Sequence, residues 1–298
     1  MILVVGGGGK LGREVVRQLL AQGERVRVLS RNPECAADLA AAGAEVTQGD
    51  LTEPASLDRA CRGVDRVLAA AHSMLGRGRY RSEAVDIAGN RALVDAARRA
   101  KVKHFVLVSI LNAAPDHPVD FWRAKYAAED YLKASGLSYT ILRPAAFMET
   151  HAHELNGRAV LKNGKTMVLG CGTRPRNFVA VRDVAYFAVL ALCDPRLSGR
   201  TLDVGGPGNF TDDQVAAVYG EFAGVRPKVR HLPAGVARGA SVVIRPFHPG
   251  IGRVLYIGSL DATRLHEEFD PAPLLAEFPV ELTTLTEFVS EKSAGGSA

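Results

Sequence analysis

The sequence predicts an α/β fold, a doubly wound parallel sheet with a smaller C-terminal lobe. Three observations carry this. Short apolar, β-branched runs alternate with helical patterns through the first half of the chain. A glycine-rich turn joins the first run to the first helix. Gly23, Gly43, Gly63 and Gly136 stand where the helical stretches should stop.

The elements follow in order. Residues 1–5 are an apolar run of the kind a buried parallel strand requires. Strands are then expected at 25–29, 44–47, 65–70, 104–109 and 139–142, and helices at 11–22, 33–42, 56–61, 87–100 and 121–135. The first helix places Leu11, Val15, Val16, Leu19 and Leu20 on one face. After Pro144 the pattern loosens. Residues 178–192 read as a strand and a helix, 202–206 as a late strand, and Thr211 as the cap of a helix over 212–224. Asp183 is expected to cap the helix that follows it. Residues 226–258 are rich in Pro and Gly and have no clear assignment, and the tail 293–298 is expected to be disordered. This divides the chain into residues 1–150 and a mixed lobe of 151–298, with 178–206 returning to the main sheet.

The first glycines carry the chemistry. Gly6, Gly9 and Gly12 lie at GxxGxxG spacing between a strand and an amphipathic helix. Glycine there permits the tight turn and the approach of a pyrophosphate to the backbone around Lys10 and Leu11. A plain βα turn is the simpler alternative. At the end of the second strand, a NAD-binding loop would carry an acid for the ribose hydroxyl. This chain has Ser30-Arg31-Asn32, and an arginine there suits a 2′-phosphate. NADP(H) is therefore favoured over NAD(H). Asp50 and Leu51 end the third strand, where Asp50 either accepts from an adenine amine, with Leu51 on the ring, or caps a turn.

Composition narrows the function further. The chain has 298 residues, 47% of them hydrophobic, enough for a sizeable core. Its net charge of +5 is spread out, with no basic stretch interleaved with aromatics, so nucleic-acid binding is not indicated. Cys35, Cys61, Cys171 and Cys193 lie far apart and read as free thiols of a reducing compartment. No apolar run is long enough to span a membrane, and Met1 leads straight into the first strand, so a cytoplasmic protein is expected.

Several segments together resemble the atypical short-chain dehydrogenase/reductases, in their NmrA-like NAD(P)-binding branch. They are ILVVGGGGKLG, VRVLSRNP, GDLTEPASLDRAC, KVKHFVLVS and KYAAEDYLKASGLSYTILRPAAFME, with RNFVAVRDVA and TLDVGGPGNFT farther on. The resemblance implies a Rossmann-like sheet and a catalytic serine, tyrosine and lysine. Ser109 lies in the serine region and Lys125 matches the lysine that holds the nicotinamide ribose. The tyrosine place holds Phe121, which has no proton to give. Tyr126 points about 100° away from Lys125 on a helix and is a poor substitute. Lys125 has a second reading, an i,i+4 pair with Glu129 on a solvated face.

His72, with Ser73 beside it, follows the fourth strand and is a candidate near the nicotinamide. His151 and His153 follow Phe147 and Met148, where the resemblance implies a substrate pocket that Phe178 also borders. Either histidine can donate a proton near neutrality. Their HxH spacing has no evident third metal ligand, so no metal is expected. Trp122, the single tryptophan, is expected in core packing. The reading that follows is an NADP(H)-dependent reductase of a small ketone, quinone or enone. The alternatives are a non-catalytic NAD(P)-sensing regulator or a net non-redox enzyme with a tightly held dinucleotide. A homodimer is possible.

Overall fold

The computed structural model describes residues 1–261 and 264–294. Strand β1 (Ile2–Val5) is buried along its whole length, as a strand covered on both faces must be. It pairs in parallel with β2 (Val26–Ser30) on one side and β4 (Arg66–Ala69) on the other, with Val4 opposite Val28 and Leu68. Strand β3 (Glu45–Gln48) joins β2 in parallel. On the far side β5 (His104–Val108) and β6 (Tyr139–Pro144) continue the parallel ladder. Strand β10 (Arg200–Val204) is the last neighbour, giving the order β10-β6-β5-β4-β1-β2-β3. The order reverses between β1 and β4, so the crevice where such sheets take ligands lies beyond Val5 and Ala69.

Helix α1 (Lys10–Ala21) buries Leu11, Val15, Val16 and Leu19, the face that its periodicity predicts. The expected helix at 33–42 is instead a 3-10 turn, Pro33–Ala36, followed by α2 (Ala37–Ala41). The Asn32 side chain accepts from the Glu34 amide and caps that tight turn. Helix α3 (Pro54–Cys61) starts two residues earlier than expected because Pro54 suits a first helical position. The helix expected from 87 begins as a wide π-helical turn, Glu83–Gly89, and then becomes α4 (Asn90–Arg99). Helix α5 (Asp120–Lys133) precedes β6. The four stop glycines all have positive φ.

The chain divides into two compact units. The first is Met1–Arg143 with Val184–Leu202, so the boundary falls at Arg143 rather than at 150 and the returning segment is shorter than 178–206. The second is Pro144–Asp183 with the chain from Asp203 onward.

In the second unit β7 (Ala146–Phe147) leads into a π-helical turn, Met148–Gly157, and α6 (Arg158–Asn163). Strand β8 (Lys165–Leu169) precedes β9 (Arg176–Val179), which pairs in parallel with β7 and antiparallel with β11 (Asn209–Phe210). Helix α7 (Val181–Cys193) is not capped by Asp183. The Glu149 carboxylate accepts from the Val181 amide at 3.1 Å, while Asp183 accepts from the Thr283 amide and hydroxyl at 2.9 Å.

Thr211 caps α8 (Asp212–Ala223) as expected, in a reciprocal box with Gln214. Residues 226–258 resolve into β12 (Lys228–Leu232), parallel to β8, and two helices, α9 (Ala234–Ile244) and α10 (Pro249–Gly258). Helices α11 (Ala272–Glu277) and α12 (Leu285–Ala294) follow. Ser293 and Ala294 thus end a helix, and residues 295–298 lie outside the described residues. No helix among the described residues is long and apolar enough to cross a membrane.

Candidate active site

The glycine turn is closed by the Gly9 amide donating to the Gly6 carbonyl at 2.9 Å. Gly6 has φ +92°, and a Cβ on it would lie 2.7 Å from the Ala71 amide nitrogen of the β4 loop. A Cβ on Gly12 would lie 2.2 Å from the Gly6 carbonyl oxygen. Only glycine lets the turn, the helix and the neighbouring loop meet this closely. The Arg13 amide closes the first helical bond, to Gly9. The amides of Leu11 and Gly12 precede it, so helix geometry gives them no carbonyl within the helix. No acid stands in the first turn of α1, and Gly9 provides no side-chain cap. Lys10 is exposed there. This cradle fits a phosphate bridge, and the residues present suit a dinucleotide.

At the end of β2, Arg31 is exposed and its guanidinium sits 4.7 Å from the centre of the Tyr80 ring. The Arg79 guanidinium lies at the same distance. Arg79 also donates to the Tyr80 oxygen at 2.7 Å and to Asp50 at 3.2 Å. Two cations and an aromatic ring therefore share one corner, though the sequence pointed only to Arg31. Ser30 does not join them, because its hydroxyl donates to the Asn32 carbonyl at 2.7 Å.

Asp50 resolves in favour of the turn. It accepts from the Thr52 amide and hydroxyl, from Tyr80 and from Arg79, four bonds that use its lone-pair sites. Burial raises its pKa, but the bonds from Thr52, Tyr80 and Arg79 outweigh this and hold it below the ordinary value. The Leu51 side chain packs in the core against Gly89.

At the other end of the crevice, Lys125 is 3% exposed, which removes the solvated-face reading. Its ammonium donates to the Val108 carbonyl at 3.1 Å and lies 3.7 Å from the Asp86 carboxylate. Burial lowers its pKa, partly offset by Asp86. Asp86 is wholly buried and accepts from the Ser73 amide (3.2 and 3.3 Å) and the Ser82 hydroxyl (2.7 Å). The carboxylate thus ties Lys125 to the loop bearing His72.

Phe121 is buried, its ring 5.8 Å from the Lys125 ammonium and edge-on to the His72 ring at 6.0 Å. His72 is open to solvent along part of its surface, yet surrounding protein desolvates it, and with Lys125 nearby this lowers its pKa. Trp122 packs as expected, donating to the Leu111 carbonyl and stacking on His117.

Ser109 is corrected. Its hydroxyl donates in a short bond to Glu129, a fully buried carboxylate that Arg143 also grips at 2.6 and 2.9 Å. The serine therefore locks β5, α5 and β6 together.

The remaining candidates lie in the second unit. Met148 and Phe178 are fully buried in its core, and the Arg176 guanidinium covers the Phe178 ring, so neither side chain is available to a substrate. His153 pairs with the Tyr219 hydroxyl at 3.1 Å and meets Phe288 edge-on. Phe147 and His151 are half-buried.

Sequence reasoning missed Asp86, Arg79, Tyr80 and Arg143, and gave Glu129 the wrong partner. An acid beside the apolar Val85 and Ile87 was the available signal for Asp86. Nothing local to the sequence pairs Glu129 with Arg143.

Residues 6–195 match a protein-family model described as NAD(P)H-binding. An NAD(P)H azoreductase of Xenophilus azovorans is 34% identical over 232 residues, 78% of this chain and 76% of that protein. The photosystem II assembly factor Ycf39 of Synechocystis is 30% identical over 296 residues, 97% of this chain and 90% of that protein. In fold, the chain is similar to an NADPH-dependent quinone oxidoreductase from Escherichia coli, with a TM-score of 0.78 at 24% identity, covering 98% of this chain and 99% of that one. With the glycine cradle and the motif order, these matches show that the chain belongs to the NAD(P)H-binding family, within the NmrA-like atypical short-chain dehydrogenase/reductases.

Proposed function

We propose that this protein is an NADP(H)-dependent reductase of small electron-poor acceptors, with quinones the favoured class. The observation that carries the reading is Lys125, a buried ammonium held by Val108 and Asp86 at the carboxyl end of the sheet. An isolated buried charge is costly, and such groups concentrate at functional sites. When bound, the dinucleotide supplies the hydride.

The protein's part is to hold and orient. The glycine cradle receives the phosphates and Lys125 holds the ribose. Arg31 and Arg79 receive the 2′-phosphate, for which two guanidiniums beside an aromatic ring are well suited. Phe121 cannot donate a proton, so an acceptor that tolerates negative charge, such as a quinone, fits better than an unactivated ketone. His72 is the histidine that meets the Phe121 ring, edge-on at 6.0 Å. Largely neutral at pH 7, it relays protons from solvent.

Titration calorimetry with NADPH, NADP⁺, NADH and NAD⁺, followed by NADPH oxidation with a quinone panel, tests this. Preference for the phosphorylated pair together with quinone-dependent turnover is expected, and binding of none of the four sinks the reading. Phe121 and the likeness to an assembly factor favour a second reading, a nucleotide-sensing regulator. Nucleotide binding with no turnover on any acceptor would select it.

A further inference from the structure

The second unit carries a surface that the proposed chemistry does not use. Between residues 226 and 260 there is no Asp or Glu, while Arg226, Lys228, Arg230, Arg238 and Arg245 are all exposed. Helices α9 and α10 occupy most of this stretch. Helix α9 turns Ala237 and Ser241 inward, and α10 buries Gly250, Gly252, Arg253 and Gly258. Large apolar side chains point outward. Phe247, at the reversal between the helices, is 81% exposed, and Val242 and Val243 are 67% and 68% exposed. Val236 lies seven residues, about two helical turns, before Val243 and is exposed on the same line. On the paired strands that lead into this hairpin, exposed Met167 of β8 stands in register with Arg230, and Lys165 with Lys228.

Single exposed apolar residues need no explanation, but a cluster on one acid-free basic element does. We infer that this helical hairpin docks on the surface of an anionic lipid bilayer. The valines and Phe247 enter the boundary between headgroups and acyl chains, while the arginines and lysine meet the headgroup charge. The long basic side chains keep their charge at the surface while their stems cover apolar area. The guanidinium of Arg238 already lies over the Tyr256 ring, at 4.6 Å. Helices of this length cannot span a bilayer, so the hairpin lies in the interface. Charge argues against a second copy of the chain as the occupant. A two-fold contact sets a patch against itself, and here it would face cations with cations. A nucleic acid would answer the cations and leave Phe247 and the valines in water.

The test uses the full chain and flotation with two kinds of vesicle, phosphatidylcholine alone and phosphatidylcholine doped with phosphatidylglycerol. Binding to the doped vesicles, weakened by salt and weak on the neutral ones, is expected. Val243→Glu with Phe247→Glu should lower that partitioning by about tenfold or more. Both positions are exposed, so thermal stability and NADPH affinity should stay at wild-type values, which separates lost docking from lost folding. No binding to doped vesicles at low salt overturns the proposal. So does binding that the double variant leaves unchanged. Retention on DNA without vesicle binding, or a dimer that the double variant dissolves without vesicle binding, assigns the face to another partner and also overturns it.

Discussion

Asp86→Asn isolates the electrostatics of the candidate site. The substitution keeps the side-chain shape and an acceptor for Ser73 or Ser82 but removes the charge 3.7 Å from the Lys125 ammonium. Removing one partner of a buried pair costs about 3–5 kcal/mol. Lys125 can escape by losing its proton, which from an ordinary pKa costs about 4.6 kcal/mol at pH 7 and sets a ceiling. A loss of about 3 kcal/mol is expected at neutral pH.

The pH dependence is the sharper readout. Without Asp86 the folded pKa of Lys125 falls further below its unfolded value, because burial then acts with less opposition. In that window the unfolded chain binds more protons than the native one, so stability rises with pH. Urea unfolding of variant and wild type should show the deficit shrinking to about 1 kcal/mol or less by about pH 10. A deficit that is flat across that range, or small at neutral pH, would refute the view that Asp86 holds the charge on Lys125.

Gly12→Ala drives a Cβ to within 2.2 Å of the Gly6 carbonyl and should cost about 1–3 kcal/mol or more and abolish nucleotide binding. Gly8→Ala meets nothing within 4 Å, so thermal melts should leave it near wild type. Arg79→Gln and Arg31→Gln should each weaken NADPH binding by about tenfold and leave NADH unchanged, by calorimetry. Equal losses for both nucleotides would remove the arginines from phosphate recognition. If His72 relays protons, quinone turnover should decline as pH rises through a value below 6.5, where its protonated form disappears. His72→Phe should flatten that profile, and an unaltered profile would exclude His72.

The doubly wound sheet was legible because its strands are continuous apolar runs and its helices have single apolar faces, both local properties. The glycine cradle was legible because backbone crowding leaves a glycine signature at fixed spacing. Lys125 was found only through the motif order, since its i,i+4 partner Glu129 suggested a solvated face. The structure sends Glu129 to Arg143 and Ser109 instead, a closure across fourteen and twenty residues that no local pattern encodes. Asp50 was ambiguous for a similar reason, because its partners Arg79 and Tyr80 come from another loop. Residues 226–258 were unreadable because their helices lack a conventional apolar face: small residues point in and valines point out.

The segment from Ser73 to Tyr80 is moored at both ends. Asp86 holds the Ser73 amide, Asp50 holds the Tyr80 hydroxyl, and the Ser73 hydroxyl bonds to the Tyr80 carbonyl. A Cβ on Gly76 would lie 1.9 Å from both the Ser73 hydroxyl and the Tyr80 carbonyl oxygen, so the span has no slack. A displacement at the arginine corner must then be felt at the lysine end, which makes the two halves of the crevice thermodynamically linked. Tyr80→Phe combined with Asp86→Asn should show a coupling above about 0.5 kcal/mol; strict additivity would mean that the moorings act alone.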